Sequence, residues 1–123
     1  MKLIETDNTG TESSAVQYCE KHYPEMTKEF RLIMEEQYRL FCAKQMNYGP
    51  TNISVGTALQ TPDDVRLSLT GIWFRCNDKI QRLRQLVVLG HKDQVGESVG
   101  DTLQDLSVYG IIAQIVQRGK WAK

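Results

Sequence analysis

The sequence is short of several things that commonly declare a function. Its three cysteines, Cys19, Cys42 and Cys76, are odd in number, widely spaced and free of any C-x-x-C pairing. They read as reduced, mostly buried thiols of a cytoplasmic protein. Charge of one sign is not in excess: fifteen Lys and Arg face fifteen Asp and Glu, which excludes sequence-blind attraction to DNA or RNA. No apolar run approaches the roughly 20 residues a membrane helix needs, and the first residues lack the basic-then-apolar order of a signal peptide. There is no Gly-rich phosphate loop, no Ser/His/Asp or Cys/His arrangement and no useful stretch of strand alternation. His22 and His91 stand far apart without metal-ligand spacing and read as surface residues.

What is present is helical spacing across 123 residues, enough for one domain. Met1 to Glu12 reads as a polar arm, and residues 13–123 as a single all-α domain. Ser13 or Ser14 caps a short helix running to His22, and Pro24 either breaks it or opens the next. From Glu25 to Met46, Phe30, Ile33, Met34, Gln37 and Phe41 fall on one side, before Asn47-Tyr48-Gly49-Pro50 stops the helix. Thr61 followed by Pro62, Asp63 and Asp64 is a strong helix start, and that pattern runs to Leu89 before Gly90. Val95 to Arg118 forms the last helix. The expected architecture is a small bundle of three long helices plus one short N-terminal helix.

On the third long-range pattern, Leu69, Ile72, Trp73, Cys76, Ile80, Leu83 and Val87 share one arc as the expected core stripe. Arg75, Asp78, Lys79 and Arg82 share the neighbouring arc. That second arc reads either as a solvated face of ordinary ion pairs or as a phosphate- and metal-facing surface. In the last helix, Glu97, Asp101 and Asp105 recur at i, i+4 and i+8, in line with Val108, Ile112 and Ile115. Like charges at that spacing repel, so the acids call for cations from the preceding helix or for a divalent metal. Two meanings stay open: a structural network sealing the bundle, or a Mg²⁺ site. Lys44, Tyr48 and Asn52 offer a further wall, with an aromatic face for a base and an amide for a base edge or sugar hydroxyl.

Three blocks, taken together, resemble a known family. They are Lys44…Asn47-Tyr48-Gly49…Asn52, then Arg75…Asp78-Lys79…Arg82-Leu83, and Glu97-Ser98…Asp101-Thr102…Asp105-Leu106…Tyr109. The set is similar to the nucleotide modification associated domain 1 family, small proteins common in bacteriophages. The likeness covers about residues 27–118. Asn47 stands where that family usually has Asp.

Through that family the chain is similar to the all-α nucleoside triphosphate pyrophosphohydrolases, the MazG-like and dCTP/dUTP pyrophosphatase-like enzymes. The resemblance implies Mg²⁺ held by Asp78, Glu97 and Asp101, which would also be the catalytic residues, with Asp105 beside them. It implies phosphates gripped by Arg75, Lys79, Arg82 and Lys44, and a base or sugar met by Tyr48, Asn52 and Trp73. The implied reaction splits a (deoxy)nucleoside triphosphate into monophosphate and pyrophosphate. Arg75 departs from this pattern by standing where the first metal-binding Glu belongs, and the second acidic pair is spaced by four instead of three. A rival reading is a nucleotide-binding protein without turnover, a sponge for a host signalling nucleotide or an accessory to base modification. A third is a structural helical adaptor. Each reading carries a homo-oligomer, dimer or tetramer, in the bacterial cytoplasm, with no membrane and no direct nucleic-acid contact.

Overall fold

The computed structural model describes residues 13–123, so the expected N-terminal arm lies outside the described residues. Among them there is no strand, and the class is all-α as expected. Five α-helices follow one another: α1 (Ser14–His22), α2 (Pro24–Tyr48), α3 (Thr51–Ser54), α4 (Pro62–Leu83) and α5 (Val99–Gln117). No helix among them is long and apolar enough to cross a membrane.

The helix ends follow local chemistry. Ser13 accepts the Val16 N–H at 3.3 Å and Thr61 accepts the Asp64 N–H at 3.1 Å, so side-chain oxygens satisfy N–H groups that the first turn leaves free. Gly49, at φ +69°, ends α2 in a backbone conformation that costs a glycine little. Beyond Leu83 the chain widens into a π-helical turn, Arg84–Val88, instead of staying α-helical to Leu89. α5 starts four residues later than expected. Asp93 accepts the Val95 N–H at 3.1 Å, Gly96 sits at φ +78°, and Ser98 caps the helix through the Asp101 N–H at 3.0 Å. Glu97 therefore precedes the helix and is not in register with Asp101 and Asp105.

Two compact stretches can be told apart, one ending at Leu40 and one beginning at Phe41. In the first, α1 and the greater part of α2 bury nothing. Arg31 and Glu20 form an exposed ion pair at 3.3 Å. In the second, Ile53, Ile72, Ile112, Val116 and Trp121 form the core, with Phe41, Leu69, Cys76, Tyr109 and others packed around it. Trp121, which follows the end of α5, donates its indole N–H to the Pro50 carbonyl at 3.0 Å and meets Phe41 edge-on at 6.0 Å. A large ring thus fills the base of the core and satisfies its one polar atom. Ser68, fully buried, donates to the Ile53 carbonyl at 2.6 Å and locks α3 against α4.

The core side of α4 is rotated from the expected one by roughly 50° at 100° per residue. Trp73 and Ile80, expected in the core, are exposed, while Lys79 and Arg82 are half-buried. The thiols also differ from expectation: Cys42 is exposed, and Cys19 and Cys76 are only half-buried. Burial pushes the Cys76 thiol up from its ordinary value.

Candidate functional site: a cation and carboxylate cluster between α4 and α5

The rotation of α4 turns its cationic ridge toward α5. Lys79 places its ammonium 2.9 Å from Asp105 Oδ2 and 3.3 Å from Glu97 Oε1. Lys44, from the last turns of α2, stands 3.9 Å from the other oxygen of Asp105. The Asp105 carboxylate is the largest reason that Lys79 is held above its ordinary lysine value, burial opposes it, and Glu97 adds to the rise. Lys79 is thus a fully charged cation in a partly dry setting.

Arg82 is spent differently. Its Nε donates to Thr102 Oγ1 at 3.1 Å and lies 3.8 Å from Glu97 Oε2, and Nη2 donates to Asp93 Oδ1 at 3.1 Å and to the Glu97 backbone carbonyl. Thr102 is fully buried and donates its own hydroxyl hydrogen bond to the Ser98 carbonyl at 3.3 Å. One guanidinium therefore ties the turn before α5 to its first helical turn and to α4. Arg75 is committed as well: Nη2 donates to the Asn52 carbonyl at 3.2 Å, and the guanidinium lies 5.9 Å from the centre of the Tyr109 ring.

The expected site residues separate on this geometry. Lys44, Lys79, Arg82, Glu97 and Asp105 are brought into one cluster. Arg75 and Asn52 meet beside it through the Asn52 backbone, and Tyr48 is exposed at the end of α2. Asp78 and Asp101 are both exposed, and Asp101 lies in the first turn of α5 where an acid favours the helix dipole. Trp73 stands on the opposite flank of α4, lining a shallow, mostly apolar cleft of about 660 Å³ with Val65, Leu69 and Pro62.

The metal set that the resemblance implies is not assembled by these residues. Among the described residues no three His, Cys, Asp or Glu side chains gather as ligands, and Glu97 already faces Lys79 and Arg82. As arranged, the donors do not fit Mg²⁺, which needs several oxygens around one point.

Sequence reasoning missed three residues. Asp93 was passed over within a polar connection, although an Asp two residues before Val95 and three before a glycine is a turn signature. Thr102 belongs to the Glu97–Tyr109 block, where a threonine by itself carries no signal of a role. Trp121 left no periodic signal, because it lies beyond the last helix. No family's sequence profile matches the chain, and neither a curated protein nor a solved structure matches it.

Proposed function

We propose that this protein binds a nucleotide polyphosphate at the Lys44–Lys79–Asp105 cluster without turning it over. The observation that carries this reading is the sharing of one half-buried ammonium, Lys79, between Asp105 and Glu97, with Lys44 close behind. Two lysines from two helices face one carboxylate, and a phosphate group can displace that carboxylate while keeping both cations paired. Arg82 acts as a positioning residue in this reading, since its donors hold Thr102, Asp93 and Glu97 in place. In this reading Tyr48, one helical turn beyond Lys44, would supply a stacking face and the Asn52 side chain an amide for base or sugar. The likeness to a phage nucleotide family agrees with such a ligand and with a bacterial cytoplasm as its setting.

Calorimetry with a panel of nucleoside triphosphates, with and without Mg²⁺, tests the reading, with products followed by mass spectrometry. Binding indifferent to Mg²⁺, no released pyrophosphate and at least about 10-fold weaker binding in Lys79→Ala support it. Absence of both heat and thermal shift across the panel overturns it.

A second reading, Mg²⁺-dependent hydrolysis to monophosphate and pyrophosphate, is favoured by one feature: Glu97 and Asp105 converge on a single cation position, held by Lys79. It requires Lys79 to leave those oxygens. Mg²⁺-dependent pyrophosphate release that Glu97→Gln abolishes selects this reading over the first.

A further inference from the structure

We infer that the turn 90–98 is an autoinhibitory latch on the cation cluster, with Glu97 as the built-in anion that a ligand's phosphate pushes aside. The inference rests on the nucleotide reading above and adds a means of regulation to that site. Glu97 stands just before the Ser98 cap, so it belongs to the turn and not to α5. Its carboxylate lies 3.3 Å from the Lys79 ammonium through Oε1 and 3.8 Å from Arg82 Nε through Oε2. A phosphate that takes the place of Asp105 at Lys79 therefore meets the Glu97 charge on the same ammonium. Anions so close in a partly dry setting repel strongly.

The two acids have different supports. Asp105 is carried by α5, which contributes Ile112 and Val116 to the core, so it yields by turning its side chain on a fixed helix. Glu97 is carried by a turn of which no residue belongs to the core or packs on it. What ties the turn to α4 is charge: Arg82 Nη2 donates to Asp93 Oδ1 at 3.1 Å and to the Glu97 carbonyl, and Lys79 pairs with the Glu97 carboxylate. An anion that competes for Lys79 and Arg82 acts on those ties themselves. At the other end the His91 N–H bonds to the Gln85 carbonyl at 2.9 Å, which keeps the start of the turn on the π-helical segment. The moving piece is thus Asp93 to Glu97, opening without any loss of core packing.

Reciprocity fixes the consequence. A ligand that opens the latch is weakened by the latch when it is closed, in proportion to how little of the free protein is open. Loosening the turn should therefore tighten binding.

Calorimetry of the full chain with inorganic tripolyphosphate, free of Mg²⁺, is the test. Glu97→Gln should bind at least about 5-fold more tightly than the parent. Asp93→Asn, which frees the turn from Arg82, and Glu97→Asp, which keeps the charge on an arm one methylene shorter, should each gain at least about 2-fold. Backbone order parameters of residues 93–97 should fall from about 0.85 toward about 0.6 in the bound parent. Hydrogen exchange of the α5 amides reads whether each variant is folded. A gain in Glu97→Gln and Asp93→Asn but not in Glu97→Asp reduces the effect to net charge and overturns the latch, as do unchanged order parameters. Tripolyphosphate that binds the parent, is lost in Lys79→Ala and binds Glu97→Gln no more tightly overturns the latch and leaves the nucleotide reading standing. No binding to the parent or to Glu97→Gln overturns the latch as well, while the nucleoside triphosphate panel decides the nucleotide reading by itself.

Discussion

Residues 13–40 and 41–123 use the same chemistry at different depths. Arg39 meets Glu35 at 3.1 Å on α2, and Arg82 meets Asp93 at the same 3.1 Å in the second stretch. The first pair has side chains 78% and 57% exposed, the second 19% and 29%. Water screens the first and pulls at both partners, so its value approaches zero. The second is partly dry, and its guanidinium also satisfies a buried hydroxyl and a backbone carbonyl. Distance alone therefore ranks nothing; surroundings do. The apolar residues teach the same lesson: Phe30 is as hydrophobic as anything in the core, yet only the second stretch has a core to put such residues in.

The largest expected effect breaks the comparison at an aromatic ring. Trp121→Ala should cost the 41–123 stretch about 3–5 kcal/mol, because it opens a cavity in the core and removes the indole hydrogen bond to the Pro50 carbonyl. Phe30→Ala should change the same quantity by less than about 0.5 kcal/mol. Hydrogen exchange of the α5 amides in denaturant reads both. Equal losses would mean that the two stretches share one core.

Next in size are the ion pairs. Arg82→Ala should cost about 2–3 kcal/mol, since it strips charged donors from Asp93, Glu97 and the fully buried Thr102 at once. Arg39→Ala should stay within about 0.5 kcal/mol. A comparable loss in the two variants would show that depth does not govern these pairs.

This contrast also explains what the sequence could tell. Helix starts at Ser13 and Thr61 and the stop at Gly49 were legible, because caps and glycines act within one turn. The meeting of the α4 ridge with acids near and in α5 was legible too, since repelling carboxylates on a buried face demand cations. The choice of which carboxylates was not. Periodicity placed Asp101 in line with Glu97 and Asp105, but the turn at Asp93 and Gly96 ends the register before α5 starts. The axis of the α4 core also escaped, because Trp73 and Ile80 look like core residues by type, whereas packing against α5 favours the side holding Lys79 and Arg82. Tertiary contact settled that choice, and a wheel carries no record of it.

The smallest effect is titratable, and it belongs to the turn before α5. The Asp93 carboxylate is held below its ordinary value of 3.8, first by the Val95 N–H and then by Arg82. A carboxyl whose folded value is depressed contributes its stabilisation in full above the unfolded value and loses it as pH falls through the folded one. Stability of the 41–123 stretch should therefore decline as pH falls below about 4, with part of that slope due to Asp93. Lys79 works in the opposite direction: its value is raised, so its pairing with Asp105 is complete below 10.5 and fades only as pH climbs through the folded value. Asp93→Asn removes the acid slope that Asp93 supplies and leaves the alkaline one. Thermal melts between about pH 2.5 and pH 6 should accordingly converge for the variant and the parent at the acid end, with the parent ahead near neutrality. Parallel curves across that range would move the acid sensitivity away from the Arg82 turn.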